Sequence, residues 1–209
     1  LEDHTIHCYH NTVHGQEDFY SAFANSCNCA FASIGVDLGG ASLRRTAEDL
    51  LFNKSLPLNA YRTSSFSLDK KSVTPLIMQT AIGQGNTLVS PMHMALITCA
   101  IANDGVLMKP YLIDEVVNDS NDTVKKTEPV PYKRLMSSNE ANLLGKLMKQ
   151  VVDSGTASSL SGRSYTVAGK TGSAEFDEEG HSHSWFIGYS NVDDPDLVVA
   201  VIVENGGSG

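Results

Sequence analysis

Positive charge is in short supply: 15 Lys and Arg stand against 24 Asp and Glu, a net charge of −9. That balance argues against a nucleic-acid backbone or an anionic membrane surface as partner. Long apolar runs are missing too. The longest, Leu197 to Val203, is far too short to span a bilayer. No charged n-region, apolar h-region and cleavage site opens the chain, so no targeting segment is visible. Cysteine is sparse, with Cys8, Cys27, Cys29 and Cys99 the only four, and four in a chain of this length set no disulfide framework. Cys99, in an apolar helical stretch, reads as a buried small hydrophobe. Cys8 could pair with Cys27 or Cys29 in an oxidising compartment, and sequence leaves the partner open. No internal repeat or low-complexity tract is seen.

What is present is ordinary for a soluble globular protein: 209 residues, 41% hydrophobic and 19% charged, enough to fill a core. The first part, to about residue 160, reads as mostly helical. Glu17 to Ala24 leads into a second helical stretch that Gly39-Gly40 ends, and "SLRRTAEDLLF" reads as another helix. A polar loop follows from Asn53 to Ser72. "VSPMHMALITCAIANDG" has Ser90 as N-cap, Pro91 at the first helical position and Gly105 as the stop. Asn118 to Pro131 is charged and turn-rich, a surface loop or hairpin. Ser137 and Glu140 form a capping box ahead of a helix whose apolar face is Leu143, Leu144, Leu147, Met148, Val151 and Val152. From about 164 to 204 the pattern changes to three strands. Turn residues Asp177 to Gly180 and Asn191 to Asp196 separate them, which predicts an antiparallel meander. The fold class is α+β.

"VAGKTGSAEF" carries the first chemical question. A phosphate-binding loop needs Gly-x-x-x-x-Gly-Lys-Ser/Thr between a strand and a helix. The first glycine would stand where Ser164 does, and Thr171 runs on into another strand rather than a helix N-terminus. "AIGQGNTL" fails likewise as a dinucleotide fingerprint, with Leu88 at the third glycine position. A strand is the better reading. Gly169 and Gly172 leave room for another backbone alongside, and Lys170 and Thr171 could take a ligand carboxylate.

"SCN" at Ser26 to Asn28 followed by "KTG" at Lys170 to Gly172 matches two of the three motifs of penicillin-recognising serine enzymes, in order. Lys-Thr-Gly alone would arise by chance in about three chains of this length in a hundred. With the flanking "AIGQGNTLVSPMHMALITCAIANDG", "GTA" at Gly155 to Ala157, and "HSWFIGYS", the chain resembles the transpeptidase domain of penicillin-binding proteins over nearly its whole length. It is most similar to the monofunctional, elongation-type members of class B. The resemblance implies one partial transpeptidase domain over 1–209, of the serine β-lactamase/D,D-transpeptidase type: an antiparallel sheet flanked by helices, incomplete at both ends.

The resemblance also implies the activity, a serine acyl transfer on D-Ala-D-Ala stem peptides that β-lactams intercept. By this analogy Ser26 would relay a proton to the leaving amine and Asn28 would hold the substrate amide. Lys170 would supply positive charge and tune the relay, and Thr171 and Ser173 would offer hydroxyls to the terminal carboxylate. Gly172 shares that substrate strand, and the Ser173 N–H would serve in the oxyanion hole, where one donor is typically worth about 3 kcal/mol. Neither cofactor nor metal is implied. The implied partners are peptidoglycan stem peptides, β-lactams and the cell-wall elongation or division machinery. The implied location is the extracytoplasmic face of the bacterial membrane, with an anchor upstream.

The nucleophile motif is the departure. Ser-x-x-Lys should precede Ser-x-Asn, and no such match precedes Ser26. The lone match, Ser67 to Lys70, comes after it in a polar loop and reads as coincidence. The chain is therefore expected to be an excerpt of a longer membrane-anchored protein, without acyl-transfer activity of its own. A non-catalytic binding module or β-lactam sensor on the same fold stays open as an alternative. A hydrolytic β-lactamase would need a deacylating base such as Glu175 or Glu178, and nothing marks either as one.

The remaining polar clusters have plainer readings. His4, His7, His10 and His14 with Cys8 match no zinc-ligand spacing and read as structural or solvated. His181 and His183 read as rim residues of a substrate groove, and Trp185 and Phe186 as packing residues. Gln84-Gly85 reads as a turn more than as part of a site floor. Glu175, Asp177, Glu178 and Glu179 read as a solvated hairpin tip.

Overall fold

The structure is a computed structural model and describes residues 5–58, 64–176 and 180–207. After a 3₁₀ turn at Tyr9–Asn11 the chain forms α1 (Phe19–Ala24) and α2 (Asn28–Asp49). Then come α3 (Thr74–Ala81), α4 (Pro91–Ala102), β1 (Val106–Met108), β2 (Glu115–Val117), β3 (Thr123–Lys126) and β4 (Pro131–Arg134). The last part is α5 (Ser138–Ser154), a 3₁₀ turn at Ser158–Leu160, and β5 (Val167–Glu175), β6 (Ser182–Ser190) and β7 (Val198–Val203).

The helix signals are realised as capping physics. The Ser90 hydroxyl accepts the His93 N–H at 3.2 Å, and Pro91 opens α4 where its missing N–H costs nothing. At α5 the Glu140 carboxylate accepts the Ser137 N–H at 2.7 Å while the Ser137 hydroxyl accepts the Glu140 N–H at 3.3 Å. Leu147, Met148, Val151 and Val152 are buried on α5, but Leu143 is 40% exposed. It lies beyond the edge of the buried stripe, whose centre runs through Ala141, Leu144, Gly145 and Met148.

As expected, a helix ends at Gly39, whose φ of +74° and ψ of 156° are not helical, and α2 is two helical segments meeting at that kink, the second running to Asp49. Two elements were not expected from the sequence. α3 was not anticipated: Val73-Thr74-Pro75 starts it, directly after the polar loop. Nor was the short β1–β4 pair, which ties the end of α4 to the start of α5. The turn-rich stretch does form a hairpin, β2 against β3, exposed along its whole length.

The three C-terminal strands form the antiparallel sheet β5-β6-β7, as expected. Register places Thr171 beside Phe186 and Phe186 beside Val201, so these three share one face. On the opposite face Ala168, Ile187, Tyr189 and Val198 pack with Ile97 and Ile101 of α4 and Met148 of α5. α4 and Met148 of α5 thus pack on this face, while on the other Val167 and Phe186 pack toward the end of α5, with β5 at one edge. Among the described residues no helix is long and apolar enough to cross a membrane.

Candidate active site

α1 starts at Asp18, whose carboxylate accepts the Ser21 N–H at 2.8 Å, and ends after barely two turns. The chain reverses at once. Cys27 N–H donates to Ala22 O at 2.9 Å, and Ser26 is forced into the left-handed region at φ +52°. A non-glycine residue in that conformation is a local cost, and here it projects a serine between two helices. Asn28 begins α2 on the far side of the turn, its side-chain amide donating to His7 O at 3.0 Å.

β5 faces this turn. The Lys170 ammonium donates to the Ser26 hydroxyl and to Thr171 O, the latter at 3.0 Å, and lies 5.9 Å from the centre of the Phe23 ring. Burial of the ammonium lowers its pKa to about 8. No carboxylate pairs with it among the described residues. A lysine in this state exchanges protons near neutrality and can pass one to or from a serine hydroxyl. The Thr171 hydroxyl is 2.7 Å from that of Thr156.

Ser26, Asn28, Lys170, Thr171, Gly172 and Ser173, the residues singled out from sequence, all line one cavity of about 780 Å³. Thr5 to Tyr9, Asn11, Thr12 and His14 form its other wall. The volume suits a peptide-sized ligand. Gln84 lines it as well, while its N–H bonds Gln79 O at 3.0 Å, so the plain turn reading was too modest. Gln79, His7, His14 and Thr156 were not anticipated in this role. Only the "GTA" flank hinted at Thr156.

Gly169 does a different job from the one expected. A Cβ there would stand 2.4 Å from the Phe186 ring, so the glycine accommodates an aromatic side chain of the neighbouring strand rather than a ligand backbone. Trp185 and Phe186 are half-buried, and Phe186 packs toward Val151, Val152 and Ala157. His181 and His183 stack on Phe176, with ring centres 6.2 and 4.4 Å away, and do not themselves line the cavity, which Glu175 and Gly180 beside them reach. Glu175 does reach the cavity wall, while Asp177, Glu178 and Glu179 lie outside the described residues. Ser67 and Lys70 are exposed, in irregular chain away from the cavity, in keeping with coincidence.

The cysteines come together more closely than their spacing suggested. Cys8 Sγ is 3.7 Å from Cys27 Sγ and 3.7 Å from Cys29 Sγ, and all of them are free thiols. Burial raises the Cys8 thiol pKa but is outweighed by hydrogen bonds with Cys29, Cys27 and Asn28, which leave it lowered; burial pushes Cys27 up to about 11. Cys99 is only half-buried. The donor atoms of Cys8, His14 and Cys27 lie within 4.8 Å of one another, a soft set able to hold a thiophilic cation. Sequence spacing missed it because the three ligands come from the residue before a 3₁₀ turn, a loop and a helix cap. His4 and the His10 side chain lie outside the described residues.

A Ser-x-Asn turn meeting a Lys-Thr-Gly edge strand over a peptide-sized cavity defines a penicillin-recognising fold. The profile of the penicillin binding protein transpeptidase domain matches residues 1–209, and the chain belongs to that family. The peptidoglycan D,D-transpeptidase PbpA of Mycolicibacterium smegmatis is 30% identical over 192 residues, 89% of this chain and 38% of that protein. The D,D-transpeptidase domain of a peptidoglycan glycosyltransferase from Eggerthella lenta superposes with a TM-score of 0.84 at 29% identity, over 94% of this chain and 51% of that one. An imipenem acyl-enzyme complex of penicillin-binding protein A from M. tuberculosis superposes with a TM-score of 0.81 at 27% identity, over 93% of this chain and 45% of that one. The chain thus spans about two fifths of the curated relative and about half of the solved structures.

Proposed function

We propose that this chain forms the substrate-recognition part of a peptidoglycan D,D-transpeptidase that β-lactams acylate. One observation carries the reading: a buried Lys170 ammonium donates to the Ser26 hydroxyl, beside the Thr171 and Ser173 side chains, in a cavity of about 780 Å³. In this proposal the terminal carboxylate of a D-Ala-D-Ala stem lies along β5, held by Thr171 and Ser173 and by the charge of Lys170. Gly172 leaves the strand open to it, Asn28 takes the substrate amide, and the Ser173 N–H stabilises the developing oxyanion. Ser26 and Lys170 form the path by which a proton reaches the leaving amine.

The nucleophile is an activated serine. No Ser-x-x-Lys precedes Ser26 within the 209 residues, so we infer that it comes from sequence upstream of them. On this reading the chain alone is inactive, and the assembled enzyme works at the outer face of the membrane with the cell-wall machinery.

Intact-mass measurement after incubation with a fluorescent penicillin tests the proposal. A one-to-one adduct is expected on the chain extended upstream through a Ser-x-x-Lys, and none on residues 1–209 alone. An adduct on the short chain would overturn the placement of the nucleophile. No adduct on either would favour a non-catalytic binding module.

A further inference from the structure

Thr156 lies in the "GTA" flank, to which no role has been given above, yet it touches both halves of the site. It follows Gly155, the residue that ends α5. A Cβ on Gly155 would stand 2.3 Å from Ala24 O, so only glycine lets the end of α5 press against the end of α1. The Thr156 N–H donates to that same carbonyl at 3.1 Å, two residues before Ser26. On the other side Ala157 is buried, its N–H held by Val151 O at 3.1 Å. The Thr156 backbone is thus fixed on both flanks, and its hydroxyl points into the cavity, 2.7 Å from the Thr171 hydroxyl.

We propose that Thr156 is a positioning residue that orients the Thr171 proton toward a ligand carboxylate and thereby makes the site selective for carboxylate-bearing ligands. A hydroxyl has one proton and can accept on its lone pairs. If Thr171 donated to Thr156, it would present only lone pairs to the ligand, and a carboxylate would be repelled. When Thr156 donates instead, the Thr171 proton is free for the carboxylate, and the two bonds polarise each other in the same sense. An ionised carboxylate selects the second arrangement, whereas an ester, which carries no charge, selects it only weakly. The anchoring of Thr156 to Ala24 keeps this pair in register with the Ser26 turn.

The inference rests on the transpeptidase reading, and its test separates the two. In the protein extended through its Ser-x-x-Lys, second-order acylation rates are measured for a penicillin and for its methyl ester. Thr156→Val keeps the side-chain shape and removes the donor. It is expected to slow acylation by the acid about tenfold and to leave the ester nearly unchanged, so acid-over-ester selectivity falls about tenfold. Thr156→Ser is expected to restore selectivity to within about twofold, which a purely structural role for the threonine methyl would not do. Unchanged acid acylation in Thr156→Val, or equal slowing of acid and ester, would overturn the inference while leaving the transpeptidase reading intact. Failure of the unmodified protein to acylate with either compound would overturn both.

Discussion

Lys170 sets the chemistry of the site through where its charge is kept. Its ammonium sits against the Phe23 ring, donates to the Ser26 hydroxyl and Thr171 O and has no carboxylate partner among the described residues, and burial lowers its pKa to about 8. An unfolded lysine titrates near 10.4, so between about pH 8 and 10.4 the unfolded chain binds more protons than the folded one. Stability therefore rises with pH across that window, by up to about 3 kcal/mol, and below pH 8 the penalty for burying the cation is present in full. Comparing urea midpoints of the wild type and Lys170→Met from pH 7 to 10 checks this. The wild type is expected to gain stability relative to the variant as pH rises, and parallel profiles would show the ammonium to be solvated.

Between β5 and β6 the fit of strand to strand depends on one ring and two glycines. Phe186 lies over Gly169 and Gly188, where a Cβ would meet the ring at 2.4 and 2.8 Å. Gly169→Ala is expected to destabilise the protein by about 1–3 kcal/mol, because an overpacked methyl must push the ring off its rotamer. Phe186→Ala creates a cavity and is expected to cost about 3 kcal/mol. The double variant should cost less than the sum, since the new methyl then fills space the ring has left. Additive costs in a denaturant-based double-mutant cycle would rule this packing account out. The helix ends, by contrast, were legible beforehand. Ser90, Pro91, Ser137 and Glu140 act within one turn of chain, so their spacing specifies their partners.

For the whole molecule, the partial covering of the sheet has a consequence in solution. β7 alternates, and Val199, Val201 and Val203, on the face opposite Val198, are 38%, 47% and 53% exposed. With Phe186 and Leu160, Val201 and Val203 border a shallow apolar groove. A contiguous apolar face of this kind favours association. Val201→Lys with Val203→Lys is expected to lower hydrophobic-dye fluorescence and concentration-dependent association while shifting the thermal midpoint by less than about 3 °C. A loss of cooperative unfolding would show instead that these valines belong to the core.

The α+β order and the three-strand meander were readable in the sequence by itself, because they rest on short-range rules: short runs between turn residues mark strands, and caps mark helices. The six cavity residues were readable through the family resemblance, carried by the contiguous motifs Ser26-Cys27-Asn28 and Lys170-Thr171-Gly172 with Ser173 directly after. Only the tertiary structure decided that Lys170 reaches Ser26 across 144 residues, that Thr156 reaches Thr171, and that Cys8, His14 and Cys27 converge. It alone gave Gly169 to Phe186 rather than to a ligand. The physical reason is the same in each case. Local backbone preferences act over a few residues, whereas contacts between distant segments are set by how buried faces pack, which no spacing along the chain records.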